Sequence, residues 1–134
     1  MGRRLYAWLM AAFALAHAAE SQAKDQPPPL IVFGNASWYG RFFEGRRTAD
    51  GHHFRAMGDS AASLMFPLGT WVRITNLSNG LSIMTVIDDR GPYVHGRIID
   101  VSLGVAIKLD MVLAGVVRVR IEQVAPPSPL GIPR

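Results

Sequence analysis

The chain has 134 residues, 49% of them hydrophobic, and a formal net charge of +4 at pH 7, which allows one folded domain. It contains no cysteine, so no disulfide can staple it and its stability must come from an apolar core. Its basic residues, twelve Arg and two Lys, are scattered with no Lys/Arg run, which excludes the clustered patch that nucleic-acid binding needs.

At the N-terminus "MGRR" precedes the apolar run "LYAWLMAAFALAHAA". That run falls short of the roughly 20 apolar residues a spanning helix requires, and it has the order of an export signal. An Ala-x-Ala site at 16–18 and a looser one at 21–23 predict a signal peptide over residues 1–23, cleaved near 18–23. With no cysteine to acylate at the boundary, the exported chain is expected to be soluble and to lack a lipid anchor. Loss of Arg3, Arg4 and Glu20 lowers the charge of +4 by one, leaving only a mild attraction to an anionic wall polymer. Residues 24–30, containing "DQPPPL", form a proline-rich spacer, and residues 125–134, "APPSPLGIPR", form a similar tail. The folded domain is expected between them, over 31–124.

"IVFGNASWYG" has the pattern of a strand entering a turn. "TWVRITNL" alternates, placing Arg73 and Thr75 on one face. The following "SNG" predicts a type I′ hairpin, because both central turn residues need positive φ and Asn-Gly tolerates it. "LSIMTVID" is the returning strand and "RIIDVS" another short one. In "SLGVAIKLD" the apolar residues recur at helical spacing, with Ser102 as N-cap. "GVVRVRIEQV" is a period-2 strand that puts Arg118, Arg120 and Glu122 on one face. About six short strands and one helix predict a small closed or nearly closed β-barrel.

One segment breaks the apolar pattern. Residues 87–102, "IDDRGPYVHGRIIDVS", hold three Asp, two Arg, a His and a Tyr between strand-like flanks. Asp88 and Asp89 end one strand, Arg90-Gly91-Pro92 turns the chain, and Asp100 ends the next. Carboxylates at strand ends beside Gly-containing turns either line a cleft or stabilise the turn, so a salt-bridge network and a functional site are both open on this pattern.

The motifs "ASWYG", "GRRTADG", "FPLGTWVRITNLSNG", "DDRGPYVHGRIIDVS" and "VRVRIEQV", in this order and spacing over residues 34–124, resemble the rare lipoprotein A family. The resemblance implies a mainly β fold, a six-stranded double-psi β-barrel with one or two short helices. It also implies an endolytic peptidoglycan lytic transglycosylase, a carbon–oxygen lyase that cleaves the MurNAc–GlcNAc bond without water. In that chemistry a carboxylic acid protonates the glycosidic oxygen, and the resulting carboxylate helps the C6 hydroxyl attack the anomeric carbon, leaving a 1,6-anhydro sugar. A second carboxylate can stabilise the oxocarbenium-like charge. Asp89 matches the family's Asp-Arg-Gly-Pro motif, while Arg90 and Asp100 match positions expected to support the site. Trp38, Tyr39, Phe42, Phe43 and Tyr93 offer flat faces for sugar rings, barrel core being the other use of such residues.

The sequence departs from the family pattern at two places. His52 stands after "TADG", where the family usually has its catalytic Glu, and Ser63 stands where it usually has a His. Three readings stay open. In the first the chain is an enzyme with a substituted acid: Asp89 and His52 are catalytic, with Glu44 or Asp50 as alternative acids. His52 beside Asp89 would then donate as an imidazolium, since imidazole changes charge near neutrality, and Trp38, Tyr39, Arg90, Tyr93 and Ser63 would hold the substrate. In the second the chain is a non-catalytic, expansin-like peptidoglycan-binding barrel. In the third His52, His53 and His95 bind a metal, which adjacent His residues on opposite faces of an extended strand do poorly. The first reading is the expectation, with no metal or cofactor, peptidoglycan glycan strands as partner, no nucleic acid, and a monomeric protein located in the periplasm or at the cell wall. The C-terminal repeat domain of many family members has no counterpart after residue 124, so the barrel is expected to find its substrate unaided.

Overall fold

The protein's structure, a computed structural model, describes residues 27–129. The predicted signal peptide lies outside the described residues. Six strands, β1 (Ile31–Tyr39), β2 (Ala61–Ala62), β3 (Trp71–Asn76), β4 (Ser82–Asp89), β5 (Arg97–Ser102) and β6 (Val116–Gln123), close into a barrel in the order β1-β5-β2-β4-β3-β6. A 3-10 turn, Arg41–Phe43, follows β1, and one helix, α1 (Leu103–Lys108), follows β5. The β1–β5 and β2–β4 pairs are parallel and the remaining pairs antiparallel, with β6 returning onto β1. Closure removes the exposed edges that a six-stranded open sheet would present. Among the described residues no helix is long and apolar enough to cross a membrane.

The strands form where alternation predicts them. In β6 the odd positions Val117, Val119 and Ile121 are buried, while Arg118, Arg120 and Glu122 face outward. On that outer face Glu122 Oε2 lies 3.0 Å from Arg120 Nη1 and 3.9 Å from Arg73 Nη1 on β3. The inward residues meet Phe66, Ile74, Ile87, Ile99, Val101, Leu109 and Met111 in one continuous core, each large side chain contributing about 1.5–3 kcal/mol by leaving water. Ser102 caps α1 as expected, its Oγ accepting from the Val105 amide at 3.3 Å. Gly104 lets α1 press against the preceding loop: a Cβ there would stand 2.5 Å from the Met57 carbonyl oxygen.

One local expectation differs from the structure, and one strand is not anticipated by the sequence pattern. The β3–β4 connection is not a type I′ turn, because Gly80 has positive φ and Asn79 does not. It is a wider loop, in which the Asn76 and Gly80 amides bond to Leu81 O and Asn76 O, both at 2.8 Å. The reason lies in the Asn side chains. Asn76 and Asn79 both donate Nδ2–H to the Leu109 carbonyl at the end of α1, at 2.9 and 3.0 Å, while their Oδ1 atoms accept the Ser78 and Leu81 amides. That strand is β2. Its two residues carry no periodic signal, yet Ala61 and Ala62 bridge β4 and β5 and complete the barrel wall.

Candidate active site

A cleft of about 430 Å³ opens beside the C-terminal end of β4. Its lining includes Asp89 and Arg90, the 91–94 loop, Arg97 and Asp100 of β5, Tyr39 at the end of β1, and Phe43, Arg46, Arg47 and Phe54 from the segment after β1. That segment folds back as a small hairpin: Gly45 N donates to Phe54 O at 2.8 Å, Phe54 N to Arg46 O at 2.7 Å, and Arg47 pairs with His53. Gly51, at φ 91°, allows the tight reversal at 48–52.

Asp89 anchors this hairpin to the barrel. Its Oδ1 accepts the Ala49 amide at 3.0 Å and the Arg90 amide at 2.9 Å. Among the described residues no donor reaches Oδ2, so one carboxylate oxygen is fixed and the other is free for a ligand. Arg90 turns inward, and its Nη1 donates to the Ser63 and Phe66 carbonyls, both at 2.8 Å, clamping the loop that follows β2. Asp100 accepts from the Ser37 hydroxyl on the neighbouring strand β1. Arg97 Nη1 lies 3.8 Å from Asp100 and donates to Ser37 Oγ at 2.6 Å. The charges of residues 87–102 are therefore divided between braces (Arg90, Asp100, Arg97), Asp88 held by the Ser60 hydroxyl, and the open carboxylate of Asp89.

The aromatic residues also divide. Tyr39 packs against Phe43 at 6.0 Å and Phe54 at 4.8 Å between ring centroids, and Arg46 stands 5.3 Å over the Phe43 ring. Phe42, 86% exposed, meets Phe43 edge-on at 5.8 Å. Tyr93, 80% exposed, stands at the cleft as an uncovered ring. Trp38 belongs elsewhere: it packs on the barrel core and its Nε1 donates to Val112 O at 3.2 Å.

Several residues expected at the site lie outside the cleft. Ser63 is fully buried, donating to Ile98 O at 2.9 Å and accepting the Met65 amide at 3.1 Å, so its hydroxyl is used within the fold. Glu44 accepts the Ala56 amide at 2.6 Å and lines a separate depression with Arg41 and Arg55. His52 does not line the cleft. Its side chain is 81% exposed on the 48–52 turn and its Nδ1 lies 2.9 Å from Asp50 Oδ2. Desolvation acts to raise the Asp50 carboxyl, but donors from Thr48 and His52 outweigh it and hold the group below its ordinary value. An ionised Asp50 is a poor proton donor. Among the described residues no three His, Asp or Glu side chains gather as a metal-binding group.

The structure adds one residue that the sequence did not single out and gives Asp88 a partner. Ser60, buried just before β2, donates to Asp88 Oδ1 at 2.6 Å and contacts the Tyr39 hydroxyl at 3.3 Å. Burial pushes the Asp88 carboxyl up, the Asp50 and Asp89 charges add to this, and the Ser60 hydrogen bond opposes it. Burial likewise pushes the Tyr39 hydroxyl above its ordinary value, reinforced by Asp88, Asp89 and Asp100 and opposed by Ser60.

A family profile described as lytic transglycolase matches residues 31–121. Over 103 residues the chain is 43% identical to the endolytic peptidoglycan transglycosylase RlpA of Neisseria meningitidis serogroup A, covering 77% of this chain and 43% of that protein. It is 43% identical over 95 residues to the RlpA of Pseudomonas aeruginosa, covering 71% of this chain and 28% of that one. The chain thus spans less than half the length of these relatives. Among solved structures, the Streptomyces papain inhibitor superposes with a TM-score of 0.61 at 23% identity, over 75% of this chain and all of that one. The Clavibacter michiganensis expansin superposes with a TM-score of 0.59 at 17% identity, over 74% and 52%. These two likenesses speak to the barrel alone. Matched over most of its length and closed in six strands, the chain belongs to the lytic transglycolase family of double-psi β-barrel domains.

Proposed function

We propose that this barrel is an endolytic peptidoglycan lytic transglycosylase, cleaving MurNAc–GlcNAc bonds to 1,6-anhydro products in the periplasm or at the cell wall. The observation that carries the reading is Asp89. Its Oδ1 is held by two backbone amides while Oδ2 is unclaimed among the described residues, at a cleft rimmed by Tyr93 and the Tyr39–Phe43–Phe54 cluster. A carboxylate fixed in this way can face the positive charge that develops at the anomeric carbon without reorganising. The exposed Tyr93 ring gives an apolar face on which a sugar can stack. Arg46, Arg47, Arg90 and Arg97 also line the cleft and favour an anionic glycan. Relatives over 40% identical that are named as transglycosylases support the same reaction.

A glycan-binding barrel without turnover is the second reading, favoured by the position of His52, which replaces the usual acid and sits outside the cleft. Incubation of the purified chain with sacculi, followed by mass spectrometry of the soluble fraction, separates the two. Muropeptides ending in 1,6-anhydro-MurNAc are expected. Sacculi that bind the protein but release nothing would establish the binding reading instead.

A further inference from the structure

His52 is held on the outer turn and Asp50 is kept ionised by its donors, so neither delivers a proton to the cleft. The cleft nevertheless has an internal route for one. Tyr39, part of the cleft lining, contacts buried Ser60 at 3.3 Å, and Ser60 contacts Asp88 at 2.6 Å. We propose that Tyr39, Ser60 and Asp88 form a proton relay that serves as the acid and base of the reaction in place of the missing Glu, with Tyr39 as the catalytic residue that meets the substrate and Ser60 and Asp88 acting through it. This rests on the transglycosylase reading above.

Each hydroxyl in the chain has one proton to give, so the direction of the relay is set by its inner end. With Asp88 ionised, Ser60 donates to Asp88 and Tyr39 donates to Ser60, leaving the Tyr39 oxygen to accept from the cleft. With Asp88 protonated, Asp88 donates to Ser60, Ser60 to Tyr39, and Tyr39 into the cleft. One half-buried carboxyl therefore makes the same hydroxyl an acid in one state and a base in the other.

The steps balance. In the first, the bond from the anomeric carbon to the glycosidic oxygen breaks and the oxygen keeps the bonding pair. That oxygen takes the Tyr39 proton, which Ser60 and then Asp88 replace, so Asp88 ends ionised. In the second, the C6 hydroxyl oxygen bonds to the anomeric carbon and its proton passes through Tyr39 and Ser60 to Asp88. No water is consumed and the enzyme returns to its starting state. Asp89, facing the anomeric carbon, stays a carboxylate throughout.

The surroundings suit these roles. The groups facing Asp88 are Asp50 on the 48–52 turn and Asp89 beside it in β4, and both disfavour its ionisation. Those facing Tyr39 are Asp88, Asp89 and Asp100; burial, with these charges adding to it, keeps the phenol neutral so that it conducts a proton without losing one. Four arginines, Arg46, Arg47, Arg90 and Arg97, also line the cleft. Phe43 and Phe54 hold the Tyr39 ring from two directions.

The test measures release of anhydro-ended products from purified glycan strands as a function of pH. Tyr39→Phe, Ser60→Ala and Asp88→Asn should each lower kcat by about 100-fold or more, the usual contribution of a positioned acid or base, while binding of the strands is retained. Ser60→Thr should recover most of the loss. Because the donating state is the one with Asp88 protonated, the rate should fall as pH rises through the Asp88 titration. Asp88→Glu should move the midpoint of that fall, whereas a purely structural role would scale the rate and leave the midpoint in place. Circular dichroism on each variant identifies any that fail to fold, and Tyr39→Phe, which keeps the ring, carries the test if one does. Wild-type release that is unchanged by folded Tyr39→Phe and Asp88→Asn overturns the relay and leaves the transglycosylase reading standing. No release by the wild type overturns both.

Discussion

Asp89 and Asp88 are adjacent in sequence and opposite in character. Asp89→Asn keeps an oxygen to accept the Ala49 and Arg90 amides and removes only the charge. It should abolish release of anhydro products while shifting Tm by a few degrees, about 1 kcal/mol; loss of the fold would instead make Asp89 a structural brace. Asp88→Asn should behave differently, because the Asp88 carboxyl is raised mainly by burial. An acid whose folded-state pKa lies above its unfolded value stabilises the fold fully below the unfolded value and loses that contribution as pH rises through the folded value. Above the Asp88 titration the wild type therefore carries a half-buried charge that Asn lacks, and Asn still accepts from Ser60. Thermal melts should show Asp88→Asn at least as stable as the wild type at pH 7, with the advantage shrinking toward pH 4. A lower Tm at pH 7 would contradict this. The place of Asp89 at the cleft is readable in the sequence because its neighbours Arg90, Gly91 and Pro92 form a local motif. Ser60 and its contacts with Tyr39 and Asp88 are not, because they join residues 21 and 28 positions apart beside a two-residue strand with no periodicity.

At the scale of elements, small backbone features fix how the barrel closes. Ala normally exceeds Gly in helix propensity by about 1 kcal/mol, so Gly104→Ala would stabilise an isolated helix. Here the new Cβ meets the Met57 carbonyl at 2.5 Å and its carbon at 2.8 Å, backbone that cannot swing aside. The clash should win, with a net loss of about 1–3 kcal/mol in chemical denaturation. Asn76→Ala tests the other side of α1. It deletes bonds to Leu109 O and Ser78 N at a nearly fully buried site and should cost about 2 kcal/mol, without changing the cleft on the far end of β4. Elements with a clear period, such as β6 and the capped α1, are legible from sequence. The β3–β4 loop misleads because Asn-Gly is a local rule, and the demand of the Leu109 carbonyl for donors comes from tertiary structure.

For the whole molecule, barrel closure brings Tyr39 of β1, Ser60 before β2, Asp89 of β4 and Asp100 of β5 to one region. The order β1-β5-β2-β4-β3-β6 is not suggested by any alternating pattern, which reports the faces of strands and not their neighbours. The resemblance of ordered motifs supplied that topology. The barrel closes around a single core without a disulfide, and the reaction proposed for its cleft consumes no water. Cleavage of glycan strands in ¹⁸O-enriched water tests this most directly, read by mass spectrometry of the new ends. The expected products are 1,6-anhydro ends with no ¹⁸O, lost in Asp89→Asn. Products carrying ¹⁸O at a reducing end would show hydrolysis and contradict the proposed reaction.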